Sequence, residues 1–202
     1  MEKELTKKGK RINIMGAAPG WEHTPFKNGE VWAVNDTHRR RDVDLMVDIH
    51  DRRNPKEEHD KISLAELKER GTPAYTQYLM DGFPNVKKYP IKEIKQEFDT
   101  DYFGSGIDYM IALAIYQGAS EIHLYGIIMA KGSEYSHQKP SVEFWLGIAK
   151  GRGVKVRIHG YYSAILKTKN FLMYGYQVPQ DFTKKYHPDQ VELLEMLKNY
   201  EE

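Results

Sequence analysis

The chain has 202 residues, no cysteine, and 30 Lys+Arg against 29 Asp+Glu, a formal net charge of +1. The lack of cysteine excludes a disulfide framework, a thiolate metal site and a cysteine nucleophile. The balanced charge disfavours a nucleic-acid binder, because such domains carry a basic excess.

The amino terminus gives no targeting signal. Its first ten residues, MEKELTKKGK, contain no apolar stretch, and no segment approaches the roughly 20 apolar residues that a membrane-spanning helix needs. We therefore expect no membrane association and a cytoplasmic location. The basic runs Lys7–Arg11 and Arg39–Arg41 are interpreted as solvated surface.

Short apolar runs in the first quarter of the chain each end at small or polar residues. They are Arg11–Met15, Val31–Val34 and Leu45–Ile49. This pattern is typical of strands in a parallel sheet that is buried on both faces. Less regular patterns follow, and they predict a helix at Ile62–Arg70, strands at Ala74–Gln77 and Val86–Tyr89, and a helix at Ile91–Phe98.

Helix and strand patterns alternate between Gly104 and His159. A largely apolar helix is predicted from Gly106 to about Gln117, and it is followed by a strand at Glu121–Ile128, a helix at Ser141–Arg152 and a strand at Val154–His159. The alternation predicts right-handed crossover units. We therefore expect a Rossmann-like α/β fold, with a mostly parallel sheet and helices on both faces.

The predicted domain covers residues 1–160, and residues 161–202 are interpreted as an appendage packed on it. The appendage holds an aromatic segment, Tyr161–Tyr176, and an amphipathic helix pattern over Pro188–Tyr200. The aromatic segment could cap the sheet or form an interface between copies of the chain, so a homo-oligomer is an open alternative.

The first candidate ligand loop is Gly16–Gly20, which includes Gly16, Ala17, Pro19 and Gly20. In open α/β sheets ligands bind beyond the carboxyl ends of the strands. Backbone N–H groups in a loop of small residues let a phosphate approach closely. The loop matches neither GxGxxG nor a P-loop, and a tight turn without a ligand explains it equally well.

Polar residues follow the next two predicted strands. Asn35 and Asp36 can hydrogen-bond a ribose or a base, and they can equally start a turn by bonding their own backbone. Asp48, His50 and Asp51 end the third strand, where alternation puts Asp48 and His50 on one side. That pair suits a metal, proton transfer or a structural hydrogen bond.

The segment Gly104-Ser105-Gly106 opens the apolar helix, and its free N–H groups and dipole favour an anion. An ordinary serine cap is the alternative. His137 lies in the loop before the next helix, where it could be a general base or an exposed loop histidine. Lys131 and Lys139 could balance phosphate charge.

With these loops in order, the chain resembles a Rossmann-like superfamily. It contains the bacterial lipooligosaccharide sialyltransferases and the archaeal-type 6-hydroxymethyl-dihydropterin diphosphokinases, and small phage proteins look similar around His137–Gly153. The resemblance rests on Gly16–Gly20, Ala33-Val34-Asn35, Asp44–Asp48, Gly104–Gly126 and Ser136-His137. It implies that Gly16, Pro19 and Asn35 line a nucleotide, that Gly104, Ser105 and Gly106 hold its phosphates, and that His137 is the general base.

Two departures from that pattern matter. Gly20 replaces a serine that would offer a hydroxyl to phosphate, and Gly126-Ile127-Ile128 lacks the aspartate of a Gly-x-Asp strand end. The missing acid argues against a magnesium requirement, which the residues otherwise leave open.

The sequence thus predicts a transferase of glycosyl or diphosphoryl type that binds a nucleotide or nucleotide sugar. A non-catalytic nucleotide-sequestering protein and a structural protein that keeps only the fold are the alternatives.

Overall fold

Seven strands form one sheet in the order β5-β4-β3-β2-β1-β6-β7, and every neighbouring pair is parallel. The computed structural model describes residues 9–51, 69–79, 82–130, 134–160 and 163–167. The strands are β1 Arg11–Met15, β2 Glu30–Val34, β3 Leu45–Asp48, β4 Ala74–Thr76, β5 Val86–Lys88, β6 Glu121–Tyr125 and β7 Lys155–Ile158. The predicted parallel α/β sheet is confirmed.

The largest error in the strand predictions lies at the end of β6. The apolar run Glu121–Ile128 was expected to be extended throughout, but β6 ends at Tyr125. The next residue, Gly126, has φ +60°, which breaks the extended course, and Met129 also has a positive φ of 50°. Ile127 and Ile128 are buried although they lie beyond the strand. Their apolar side chains therefore extended the predicted strand past its true end.

The order of the strands reverses at β1. The chain runs outward from β1 to β5 and then returns to β6 on the other side of β1, where Arg11 pairs with Glu121 and Met15 with Tyr125. In open α/β sheets such a reversal makes the carboxyl edge the place where ligands bind.

The α-helices are α1 Ile91–Phe98, α2 Gly106–Tyr116 and α3 Lys139–Gly151. Helix α2 makes the return crossing to β6 and is buried on nearly every face, as its apolar sequence predicts. Helix α3 begins two residues before the predicted Ser141, because Pro140 suits the first turn of a helix.

Among the described residues, the α-helices lie on one face of the sheet and a short 3-10 helix lies on the other. All three α-helices contribute to the larger core with Ile12, Ile14 and Leu124. On the opposite face Met15, Val31 and Ala33 pack against Trp21 of a short 3-10 helix, Trp21–His23. Within the described residues, no helix combines the length and apolarity needed to cross a bilayer.

Several predicted segments lie wholly or mainly outside the described residues: the helix at Ile62–Arg70, the aromatic segment Tyr161–Tyr176 and the helix at Pro188–Tyr200. Residues 163–167 are described, and they pack on the domain. The Ala164 N–H donates to the Ile128 carbonyl oxygen at 2.8 Å, and Ile165 is buried in the larger core.

Candidate functional site

Most backbone N–H groups of the loop after β1 donate hydrogen bonds to nearby groups of the protein. The Gly16 N–H donates to the Tyr125 carbonyl at 2.9 Å, and the Ala18 N–H donates to the Gly126 carbonyl at 2.9 Å. The Gly20 N–H donates to the Glu22 carboxylate at 2.8 Å, and Pro19 has no N–H. Ala17 is exposed, and among the described residues no acceptor is shown for its backbone N–H.

Glycine is required at this seam because the two loops touch backbone to backbone. A Cβ at Gly16 would lie 2.5 Å from the Gly126 carbonyl oxygen, and one at Gly126 would lie 2.5 Å from the Ala18 carbonyl oxygen. The glycines that suggested a phosphate loop therefore have a structural reason to be there. We call this contact, formed by Gly16–Ala18 and Tyr125–Gly126, the β1–β6 seam.

Asn35 follows β2 in a strained conformation. Its φ is +50°, a region that costs a non-glycine residue roughly 1–2 kcal/mol, although Asn tolerates it better than most. It begins a 3-10 helix, Asn35–Arg40, and so starts a turn, which was one of the two alternatives for Asn35 and Asp36. The turn is held by the Thr37 hydroxyl, which donates to the Val34 carbonyl at 2.7 Å, and by the buried His38 ring, 3.1 Å from the Asn35 carbonyl. Asp36 lies in the same turn and is half-buried.

The N-terminus of α2 packs directly on the end of β2. A Cβ at Gly106 would lie 2.7 Å from Val34 Cγ2 and 4.0 Å from Asn35 Oδ1. Glycine at 106 thus lets the helix start beside the Asn35 amide. We call this second contact, formed by Val34–Asn35 and Ser105–Ile107, the β2–α2 junction.

Donors at the α2 N-terminus divide into two groups. Asp108 Oδ2 accepts the N–H groups of Gly104 at 2.8 Å and Ser105 at 2.9 Å, while Ser105 Oγ accepts the Asp108 N–H at 3.3 Å. These bonds form a capping box. Gly106 and Ile107 occupy the first two helical positions, whose N–H groups have no acceptor within the helix. The Ser105 hydroxyl keeps its own proton to donate.

This division changes what the glycine-serine segment can do. The backbone amides of Gly104 and Ser105, which were expected to hold phosphate, bond an internal carboxylate instead. Donors for a bound anion shift by one or two residues, to the amides of Gly106 and Ile107 and the Ser105 hydroxyl. Ser105 and Gly106 are partly exposed, so solvent reaches this position.

Asp108 was not among the predicted site residues, although the spacing Ser105-x-x-Asp108 is a capping-box signal. The side chain is 0% exposed, and burial raises the pKa of its carboxyl even though Ser141, Gly104 and Ser105 donate hydrogen bonds to it. The Ser141 hydroxyl lies 2.6 Å from Asp108 Oδ2 and 2.9 Å from the Gln138 carbonyl oxygen. One hydroxyl proton therefore faces two acceptors.

Asp48 and His50 are in contact, as strand alternation predicts. Asp48 is fully buried, and its Oδ1 accepts from the His50 backbone N–H at 3.0 Å and lies 2.8 Å from His50 Nδ1. His50 and Asp51 are half-buried at the carboxyl edge. Among the described residues there is no group of three or more His, Asp or Glu side chains that could hold a metal ion.

His137 is exposed and ends a 3-10 helix, Glu134–His137, immediately before Gln138 and α3. Lys139 ion-pairs with Glu143, with 3.4 Å between Nζ and Oε1, and Lys131 lies outside the described residues. A further cation, from the basic run Arg39–Arg41 that was interpreted as solvated surface, reaches the edge. Arg40 Nη1 donates to the Ala17 carbonyl at 2.7 Å, and its guanidinium lies 5.3 Å from the Trp21 ring.

No protein-family model matches the chain, and no curated protein matches its sequence. Solved structures that it resembles include the sialyltransferase CstII from Campylobacter jejuni in complex with the substrate analogue cytidine-5'-monophosphate, at 16% identity over 78% of this chain and 85% of that chain, with a TM-score of 0.47. The α-2,3-sialyltransferase from Campylobacter jejuni in apo form has 16% identity over 96% of this chain and 99% of that chain, with a TM-score of 0.45. At this level of identity and superposition, no ligand, reaction or residue role passes to this chain.

Proposed function

We propose that the β2–α2 junction binds the phosphate of a nucleotide or nucleotide sugar, and that the chain is a transferase of glycosyl or diphosphoryl type. One observation carries the proposal: the strained Asn35 lies against the start of α2, and glycine at 106 makes that approach close enough. Strain of this kind clusters at ligand sites, and a helix N-terminus favours an anion.

The proposed contacts use N–H groups at the start of α2 that have no acceptor within the helix. The phosphate accepts from the Gly106 and Ile107 amides and the Ser105 hydroxyl, and the Asn35 amide bonds the ribose or the base. Gly16, Ala17, Pro19, Gly20 and Asp36 line the same edge, where Ala17 and Pro19 are exposed.

In the proposed reaction His137 takes the proton from an acceptor hydroxyl. The acceptor oxygen then bonds to the donor's sugar carbon or phosphorus. The bond from that atom to the leaving oxygen breaks, and the nucleotide departs with the electron pair. The positive end of the α2 dipole stabilises its charge. A general base of this type contributes about 10²–10⁴-fold to the rate.

Nucleotide binding is tested by thermal shift with ribonucleotides, nucleotide sugars and pterins, with and without magnesium. A ligand at one hundred times its dissociation constant stabilises the fold by about 2.7 kcal/mol. The Cβ of Gly106→Ala would lie 2.7 Å from Val34 Cγ2 and so displace the first amides of α2. The affinity should fall at least roughly tenfold, since a hydrogen bond to a charged group is worth about 1.5–3 kcal/mol. Gly147→Ala is the matched control, because a Cβ at that helical position meets nothing within 4 Å.

No shift with any ligand, or equal shifts in both alanine variants, would contradict nucleotide binding at this junction.

Turnover is tested with the nucleotide sugars and triphosphates that bind. His137→Ala should keep the affinity and lose about 10²–10⁴-fold in rate. His23→Ala is the control, since His23 is also exposed at the end of a 3-10 helix. Full turnover by His137→Ala would exclude the base role, and bound nucleotide recovered intact with every acceptor would favour a sequestering protein.

A further inference from the structure

A buried carboxylate lies between the starts of α2 and α3. Asp108 Oδ2 accepts from the amides of Gly104 and Ser105 and from the Ser141 hydroxyl, at 2.8, 2.9 and 2.6 Å. The first two donors belong to the turn that begins α2, and the third belongs to the first turn of α3. One oxygen atom therefore joins two segments that are separated by the whole of β6.

Ser141 continues the connection toward His137. Its hydroxyl lies 2.9 Å from the carbonyl oxygen of Gln138, the residue after His137, and the Gln138 N–H donates to the Tyr135 carbonyl at 3.1 Å. The 3-10 turn that carries His137 is thus hydrogen-bonded at its junction with α3. From the α2 cap to this turn the path is Asp108, Ser141, Gln138.

The contact between the two segments is too close for a side chain at residue 104. A Cβ on Gly104 would lie 2.8 Å from Ser141 Oγ. Shape as well as hydrogen bonding therefore fixes the separation of the α2 cap and the start of α3.

Capping alone does not explain why an acidic side chain is buried at this place. Ser105 already satisfies the third amide of α2, and an exposed residue could complete a capping box. Asp108 is instead fully buried, and its second oxygen, Oδ1, has no hydrogen-bond partner in the part of the chain that the structure describes. Burying a carboxylate costs several kcal/mol unless its bonds compensate. What burial of Asp108 does achieve is to hold donors from the α2 cap and from the first turn of α3 on one oxygen atom.

We propose that Asp108 is a positioning residue, which through Ser141 holds the phosphate-binding turn at Ser105–Ile107 and the turn that carries His137 as one rigid unit. The proposal rests on the proposed function for the roles of the two turns. The coupling between them is a property of the fold and can be measured without a substrate.

The first measurement uses inorganic pyrophosphate as the probe and the His137 ring Cε1–H resonance as the readout. In the wild-type protein, binding at the α2 N-terminus should shift this resonance. Ser141→Ala leaves both amide bonds to Asp108 in place, so it should bind pyrophosphate within about threefold of wild type but lose most of the His137 shift. Ser163→Ala is the control, because Ser163 is also buried and its hydroxyl oxygen accepts a local bond, from the Ile165 N–H at 3.4 Å.

A His137 shift that persists in Ser141→Ala would overturn the proposal, because it would show that the field of the bound anion acts directly through space.

The second measurement is hydrogen exchange in the ligand-free protein. Asp108→Asn should raise exchange at residues 135–138 as well as at 104–105, and Ser163→Ala should raise it at neither. Faster exchange confined to 104–105 would overturn the coupling, whatever the protein binds.

If wild type binds no pyrophosphate and no nucleotide, the proposed function fails, and the exchange at residues 135–138 still decides the coupling. If Asp108→Asn does not fold, exchange at residues 135–138 in Ser141→Ala decides it instead.

Discussion

Two places on the carboxyl edge contain glycine, and they use it differently. At the β1–β6 seam, glycines let two backbones meet, and the amides of Gly16 and Ala18 are consumed by carbonyls at the end of β6. At the β2–α2 junction, Gly106 lets a helix begin beside Asn35, and the first two helical amides have no acceptor within the helix. A loop of small residues therefore predicts close backbone approach, whereas a ligand site also needs donors that the protein has not used.

The largest effect is expected from Gly126→Ala at the seam. The new Cβ would meet the Ala18 carbonyl oxygen at 2.5 Å and Trp21 Cβ at 2.9 Å, at a residue with φ +60°. Backbone strain and overpacking together should lower the free energy of unfolding by about 3 kcal/mol or more. Urea denaturation measures this loss against Gly147→Ala.

If Gly126→Ala loses less than about 1 kcal/mol, the seam is not a tight backbone contact.

At the junction, replacing Asn35 should separate stability from binding. Asn35→Gly relieves the left-handed backbone, so the free energy of unfolding should rise by up to about 1 kcal/mol. The same change removes the amide proposed to contact the nucleotide, so its affinity should fall roughly tenfold. Calorimetric titration and denaturation of Asn35→Gly and Asn35→Ala measure both quantities. Unchanged affinity in both variants would remove Asn35 from the site.

Asp108 should give the junction a dependence on pH. Because burial raises the folded-state pKa above the ordinary value, the folded protein holds its proton longer than the unfolded chain. This group's contribution to stability is therefore fully present below the unfolded pKa and is lost as pH rises through the folded pKa. Tyr89 and Tyr109 interact with the same carboxyl, and their own raised pKa values keep them neutral in that range.

Unfolding free energies of wild type and Asp108→Asn, measured from about pH 3.5 upward, give the test. The difference, wild type minus variant, should fall with rising pH. A difference that is flat or rises would show that the folded protein does not raise the pKa of this carboxyl.

The smallest effect is expected for Arg40→Ala. Its guanidinium is exposed and bonds the Ala17 carbonyl, so its loss should change the free energy of unfolding by less than about 1 kcal/mol. If the phosphate binds at the β2–α2 junction, nucleotide affinity should change by less than about threefold. A tenfold loss in a titration would instead move the phosphate toward the loop after β1.

The sequence predicts the sheet well because buried parallel strands read as compact apolar runs, such as Arg11–Met15. It fails at Gly126, because Ile127 and Ile128 continue the apolar pattern beyond the glycine whose positive φ ends the strand. Spacing also brings candidate loops to one edge. It does not tell which amides are already bonded, since the acceptors of Gly16 and Ala18 lie at the end of β6, far along the chain.

The reverse holds for Asp108. Its hydrogen bond from the Ser105 N–H is local, and the Ser-x-x-Asp spacing predicts it. Its bond from the Ser141 hydroxyl depends on how α2 packs against α3. The pairing of Asp48 with His50 was predictable for the same local reason, because alternation along a strand determines it.

The pairing of β1 with β6 has a consequence for how the protein acquires its shape. Arg11 and Glu121 bond side chain to side chain across 110 positions of sequence. Strand β1 must therefore wait for its second partner, β6, which leaves the ribosome roughly 5–20 s later at ordinary rates of synthesis. Long-range parallel pairing of this kind is slow to form and exposes apolar edges meanwhile. A nascent chain that stops before β6 would hold β1–β5 with one edge of β1 unpaired, and it would be the form most in need of a chaperone.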